Sequence, residues 1–186
     1  PPNPTGFQAT PLMVDGILYF NTPLSQGVAV DATTGDTLWV FNPKSYEEGT
    51  TTMTGTWRQR GVAYWTDGED DERIFWGTGN GYLVCAEAKT GRPCADFGPD
   101  GSGMVDAMVG VPRANRGERD YLNALLYGIH SPPIVVRDRV IHGSHIADRR
   151  ITKEAIPGWV RAWDVRTGEH SWDFHTIPNS ADEYVA

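Results

Sequence analysis

No run of apolar residues in this chain is long enough to cross a bilayer, and no basic start followed by an apolar stretch marks a signal peptide. Positive charge is also scarce. Lys and Arg number 16 against 24 Asp and Glu, for a net charge of −8. Binding a nucleic-acid backbone needs clustered cations, and the basic clusters here, residues 113–119 and Arg149 with Arg150, are short, so no nucleic-acid partner is expected. The acidic stretch 67–72 lacks the central Gly and closing Glu of a calcium-binding helix-loop-helix and reads as a solvated turn. Gly77, Gly79 and Gly81 have the wrong spacing for a dinucleotide fingerprint and lie between two strands, with no helix to receive a phosphate. His142 and His145 are three apart, so an extended chain points them to opposite sides. No serine nucleophile elbow and no Cys-His arrangement is present.

What is present is punctuation and aromatic mass. The 21 Gly and 13 Pro break a 39% hydrophobic sequence into many short segments, and seven Trp, seven Tyr and six Phe supply flat side chains for filling gaps between sheets. The chain reads as all-β. Its organising stretch is 158–174, where Trp159, Arg161 and Trp163 alternate with Val160 and Ala162, a turn follows at Thr167 and Gly168, and a second strand ends in Trp172 and Phe174. The same pattern occurs at 28–41 and, degraded, at 83–97. Aligned on Gly35, Gly91 and Gly168, the copies share an acid four positions earlier (Asp31, Glu87, Asp164) and an aromatic six positions later (Phe41, Phe97, Phe174). Trp39 and Trp172 correspond, with Ala95 in the middle copy. Each copy is a hairpin that cannot bury both faces alone, so Trp39 and Trp172 are expected to lie flat between neighbouring sheets arranged radially.

Four strands per unit follow from the rest. A turn at Asp15 and Gly16 separates two strands ahead of the first repeat. Asn80 and Gly81 give a two-residue hairpin signal in the second unit, and Arg137 and Asp138 give a turn in the third. The three Thr-Gly hairpins are expected to supply the outer strands of three blades, roughly 7–43, 60–98 and 130–178, of one domain over 1–186. Residues 98–129 read as an insertion whose only apolar stretch is 121–126. A hairpin centred between Lys89 and Thr90 puts Cys85 opposite Cys94, close to disulfide distance; an oxidising compartment would make a bond plausible, and two buried thiols fit equally well.

The repeated Asp-x-x-Thr-Gly-x-x-x-Trp resembles the tryptophan-docking motif of quinoprotein dehydrogenases, which hold pyrroloquinoline quinone (PQQ) and calcium at the centre of an eight-bladed propeller. Residues 60–65, beginning Arg60-Gly-Val-Ala, are similar to the family segment whose Arg contacts the quinone. Residues 131–136 with 143–148 are similar to the segment that lines the cofactor and gives calcium a carboxylate. The membrane glucose-dehydrogenase-like branch is nearest, since the adjacent Cys pair of the methanol and ethanol enzymes is absent and Trp57, Arg58 and Gln59 precede Arg60.

The resemblance implies Asp148 as a metal ligand, Arg60 on the quinone's oxygens or carboxylates, and Ser144, His145 and Ala147 lining the pocket. Gln8 falls where a cofactor-facing Glu is common. His130 falls where a hydroxyl is usual, so that either Ser131 substitutes for it or the contact is lost. It implies a periplasmic oxidoreductase, free or membrane-associated, that oxidises an alcohol or sugar and passes electrons to ubiquinone or cytochrome c. The rival is a non-catalytic propeller scaffold sharing only the docking repeats. No catalytic base is assigned, and three blades alone are expected to be inactive, with the rest of the ring coming from the same or another chain.

Overall fold

Asp15 and Gly16 both take left-handed backbone angles, φ 46° and 81°, the combination that lets two strands reverse in two residues with the right twist. They join β1 (Leu12–Val14) to β2 (Ile17–Asn21), and β3 (Gly27–Asp31) and β4 (Thr37–Phe41) complete an antiparallel sheet in sequential order. The computed structural model describes residues 6–48, 58–112, 127–146 and 156–177. A second sheet contains β5 (Ala63–Thr66), β6 (Glu72–Gly77), β7 (Tyr82–Glu87) and β8 (Met104–Asp106). A third contains β10 (Ile134–Val136), β11 (Arg139–His142), β13 (Trp159–Asp164) and β14 (His170–His175). Two short strands, β9 (Tyr127–Gly128) and β12 (His145–Ile146), pair separately. Among the described residues there is no α-helix, only a 3₁₀ turn over Ser45–Glu48.

The shared acid of each repeat closes its turn. Asp31 Oδ1 accepts from the amides of Thr33 and Thr34, while Gly35 N donates to Asp31 O at 2.9 Å. Asp164 does the same with Arg166, Thr167 and Gly168. Gly35, Gly91 and Gly168 all have positive φ, so a residue with a side chain would be strained at the point where the chain turns back.

Packing between sheets is aromatic. Trp39 lies over Gly91, where an added Cβ would stand 2.5 Å from the indole, and its Nε1 donates to Ala88 O at 2.8 Å. Trp76, fully buried on β6, packs on Gly27 and donates to Ser25 O, and Tyr19, Ala29, Ile74 and Val84 complete the core between the first two sheets. Between the second and third sheets the core is Trp65, Phe75, Leu83, Phe97, Val140 and Trp163.

Three expectations are corrected. Trp172 is 42% exposed rather than sandwiched, because no described sheet covers the face it shares with Ile134, Val136 and Phe174, which are exposed too. In the second unit the outer strand is β8, drawn from the region read as an insertion. The segment after the Thr-Gly turn makes one bridge, Ala86 to Pro93, since proline has no amide to continue the ladder; Phe97 then turns into the core. Met108 and Val111 from the same region are buried as well. Third, Asn80 and Gly81 belong to a three-residue loop: Thr78 N donates to Tyr82 O, and Thr78 Oγ1 holds both Asn80 Oδ1 and Tyr82 N, which moves the reversal one residue back. Residues 121–126 lie outside those described. The cysteine alternative resolves as a Cys85–Cys94 disulfide with Cα atoms 5.6 Å apart, in the register that centres the turn between Lys89 and Thr90.

Candidate functional site

The segments leading into the first strand of each sheet run side by side. Thr10 N donates to Arg60 O at 2.9 Å, and Arg60 N donates to His130 O at 3.0 Å, so residues just ahead of β1, β5 and β10 are stitched into one three-stranded seam. Gly61, with φ 145°, makes the close approach possible: a Cβ there would meet Thr10 O at 3.0 Å and Pro132 beyond it. Ile129 N donates to Thr78 O and crowds Gly77 so closely that no side chain could stand there, which fixes the height of His130 relative to the second sheet.

Of the expected residues, Arg60, Ser131 and His145 come together around His130. The His130 and His145 rings stack with centroids 4.4 Å apart and planes inclined by 12°. Arg60 and Ser131 are exposed, and Gln8 is exposed near the start of the first segment, two residues before Thr10. Ser144 is engaged inward: its Oγ donates to Trp159 O at 2.8 Å and lies 2.9 Å from Tyr127 Oη. Ala147 and Asp148 lie outside the described residues. His142, expected to point away from His145, is buried, and its Nε2 accepts from Trp163 Nε1 at 3.0 Å, so its proton sits on Nδ1 toward Gly143 O.

Burial, then the neighbouring His145, then Arg60 and Arg58 push the His130 imidazole down to about pKa 4, which leaves it neutral at ordinary pH. A stacked imidazole pair, its His130 ring neutral, bordered by guanidinium groups offers a flat, polarisable surface beside concentrated positive charge. That combination suits a planar anion: the rings take its face and the guanidiniums take its carboxylates. No carboxylate among the described residues forms an ion pair with Arg58 or Arg60. No group of three potential metal ligands occurs among the described residues either. Open clefts of about 430 Å³, lined by Trp65, Arg137 and Arg166, and about 530 Å³, lined by Val136, Ile141 and Trp172, hold none of the expected site residues.

The chain matches, over residues 1–186, the family model for the PQQ glucose/ethanol/alcohol dehydrogenase beta-propeller domain. The chain belongs to this family. It is 33% identical over 178 residues to the dehydrogenase subunit of the alcohol dehydrogenase (quinone) of Acetobacter aceti, an alignment covering 96% of this chain and 21% of the relative. Quinoprotein glucose dehydrogenase A of Acinetobacter calcoaceticus is 29% identical, covering 91% of this chain and 22% of the relative. The crystal structure of the quinohemoprotein alcohol dehydrogenase from Comamonas testosteroni superposes with a TM-score of 0.69 at 24% identity, covering 96% of this chain and 22% of that one, and supports the propeller fold. The chain therefore spans about a fifth of the length of its quinoprotein relatives.

Two features of the site gave only partial signals in the sequence. Arg58 stands in a charged tripeptide, Arg58-Gln59-Arg60, and only Arg60 matched the family segment. The His130–His145 stack joins positions 15 apart on segments whose pairing no local pattern announces.

Proposed function

We propose that this chain supplies three blades, built on its three four-stranded sheets, to the propeller of an oxidoreductase that uses PQQ to oxidise an alcohol or a sugar. The observation that carries the reading is the seam of Thr10, Arg60 and His130, which joins segments of three blades and brings a cationic group of the second beside the stacked histidines of the third. The cofactor contacts in this reading are Gln8, Arg60, Ser131, Ser144, His145 and Ala147, with Asp148 as a carboxylate for calcium. PQQ, when bound, supplies an electron-accepting quinone, and calcium a Lewis acid beside it. The chain's own part is to hold the anionic edge on Arg60, to cover the ring plane with the histidine stack, and to keep both on a rigid sheet seam.

The acceptor in this proposal is ubiquinone or cytochrome c, and the location is the periplasm. The Cys85–Cys94 bond supports an oxidising compartment. A titration of the full-length protein with PQQ, with and without calcium, tests the reading. Saturable, calcium-dependent binding is expected, with loss of calcium dependence in Asp148→Ala. Absence of PQQ binding would return the chain to the scaffold reading.

A further inference from the structure

We propose that Arg58 is a second cationic contact for the carboxylates of the bound quinone, paired with Arg60 and held in place by the buried side chain of Gln59. The inference rests on the PQQ reading above and adds a residue that the motif resemblance does not reach.

Residues 58, 59 and 60 are exposed, buried and exposed in turn, so Gln59 points into the protein and its two neighbours point out. Gln59 is 2% exposed. In the amide orientation that satisfies both of its polar ends, it donates to Gly77 O at 3.1 Å and accepts from Gly79 N and Ser25 Oγ, both at 3.2 Å. Gly77 and Gly79 belong to the second sheet and its hairpin loop, and Ser25 to the first sheet's connection between β2 and β3. One buried amide thus bolts the arginine-bearing segment to two blades at once. The backbone of Arg60 is tied on both sides as well, to Thr10 and to His130. A segment fixed by its central side chain and its final backbone pairs has little freedom to swing Arg58 away.

Electrostatics agree with this placement. Both guanidinium charges bear on the His130 ring and help keep it neutral. Two like charges next to each other repel, and no ion pair to a described carboxylate relieves either one. An arrangement of that kind gains most from a ligand carrying several negative groups on one rigid frame. A monoanion would satisfy one arginine and leave the repulsion standing, whereas a planar polycarboxylate engages both without folding.

The test is a PQQ titration of full-length wild-type protein, Arg58→Gln, Arg58→Lys and, as a charge control, Arg92→Gln, whose exposed side chain lies on the turn of the second sheet. Arg58→Gln should raise the Kd on the order of tenfold and flatten its dependence on ionic strength, since a charge-assisted contact is lost. Arg58→Lys keeps the charge and should recover most of the affinity, and Arg92→Gln should titrate as wild type. An Arg58→Gln variant that binds as tightly as wild type, or an equal loss in Arg92→Gln, overturns the inference while leaving the PQQ reading intact. Failure of the wild-type protein to bind PQQ would overturn that reading first, and the two failures are told apart by the wild-type curve alone.

Discussion

The two junctions between the three sheets solve one problem with different residues. At the first, the carbonyl three positions before the turn glycine, Ala88 O, accepts from the indole of Trp39, which lies over Gly91. At the second, the carbonyl in the same place, Val165 O, accepts from Nη1 of Arg73, which also reaches Arg166 O at 2.9 Å. Gly168 there faces Val105 and Phe97 instead of an indole, and Gly98 N donates to Thr167 O. The repeat therefore preserves the receiving turn more faithfully than the plug. Where Ala95 replaces the tryptophan, its two functions are divided: Phe97 fills the space and Arg73 supplies the donor. Arg73 is only 5% exposed and is itself held by Asp71 and Asp96 and placed over the Trp65 ring.

That division can be broken one part at a time. The largest effect is expected from Arg73→Met, which leaves the buried Val165 carbonyl, the part-buried Arg166 carbonyl and two carboxylates without this partner. A loss of about 3–4 kcal/mol by urea denaturation is expected, and a loss under about 1 kcal/mol would mean that Phe97 alone holds the second junction. Acid should also act on this junction selectively. Burial pushes His142 down to about pKa 4, below the value near 6.5 it has when unfolded. Its contribution is therefore complete above pH 6.5, is lost as pH falls toward 4, and changes no further below that. The cost is on the order of 3 kcal/mol. Since His142 Nε2 accepts a hydrogen bond from Trp163 Nε1 and no buried histidine stands among the described residues of the first junction, amide exchange across that window should rise in the third sheet first. Simultaneous opening of both junctions would show that they are one cooperative unit.

At the first junction, Trp39→Ala should cost about 2–3 kcal/mol, because the ring is only partly buried yet contributes a donor, and Trp39→Phe should recover part of that loss. The smallest effect belongs to Trp172. It has the same place in the repeat as Trp39 but stands 42% exposed, so in this chain Trp172→Ala should change the unfolding midpoint by less than about 1 kcal/mol. A loss as large as that of Trp39→Ala would mean that Trp172 is covered in solution.

What could be read in advance was local. The acid and glycine of each repeat close their own turn through bonds spanning two to four residues, and Asp15 with Gly16 sets a hairpin by backbone angles alone. The cysteine register followed from the turn centre. The strand β8 escaped notice because its three residues carry no alternation and follow a glycine-rich loop. The burial of Trp39 and the exposure of Trp172 have identical local signals; only the presence of a neighbouring sheet separates them. At the candidate site, Arg60 was legible through its motif. Arg58 was not, because its meaning depends on where Gln59 is anchored, and that anchor joins a distant hairpin of its own blade to a loop of the neighbouring one.

The seam of Thr10, Arg60 and His130 also bears on the order of events in folding. Its two hydrogen bonds join positions roughly 50 and 70 residues apart, so each must overcome the loop entropy of a whole intervening sheet. The tight hairpins around it, β1 with β2, β5 with β6 and β10 with β11 among them, can close over a few residues and on their own. The binding surface is thus expected to be absent from early intermediates and to appear only when the three sheets dock, which would make cofactor capture a report on finished architecture rather than a guide to it.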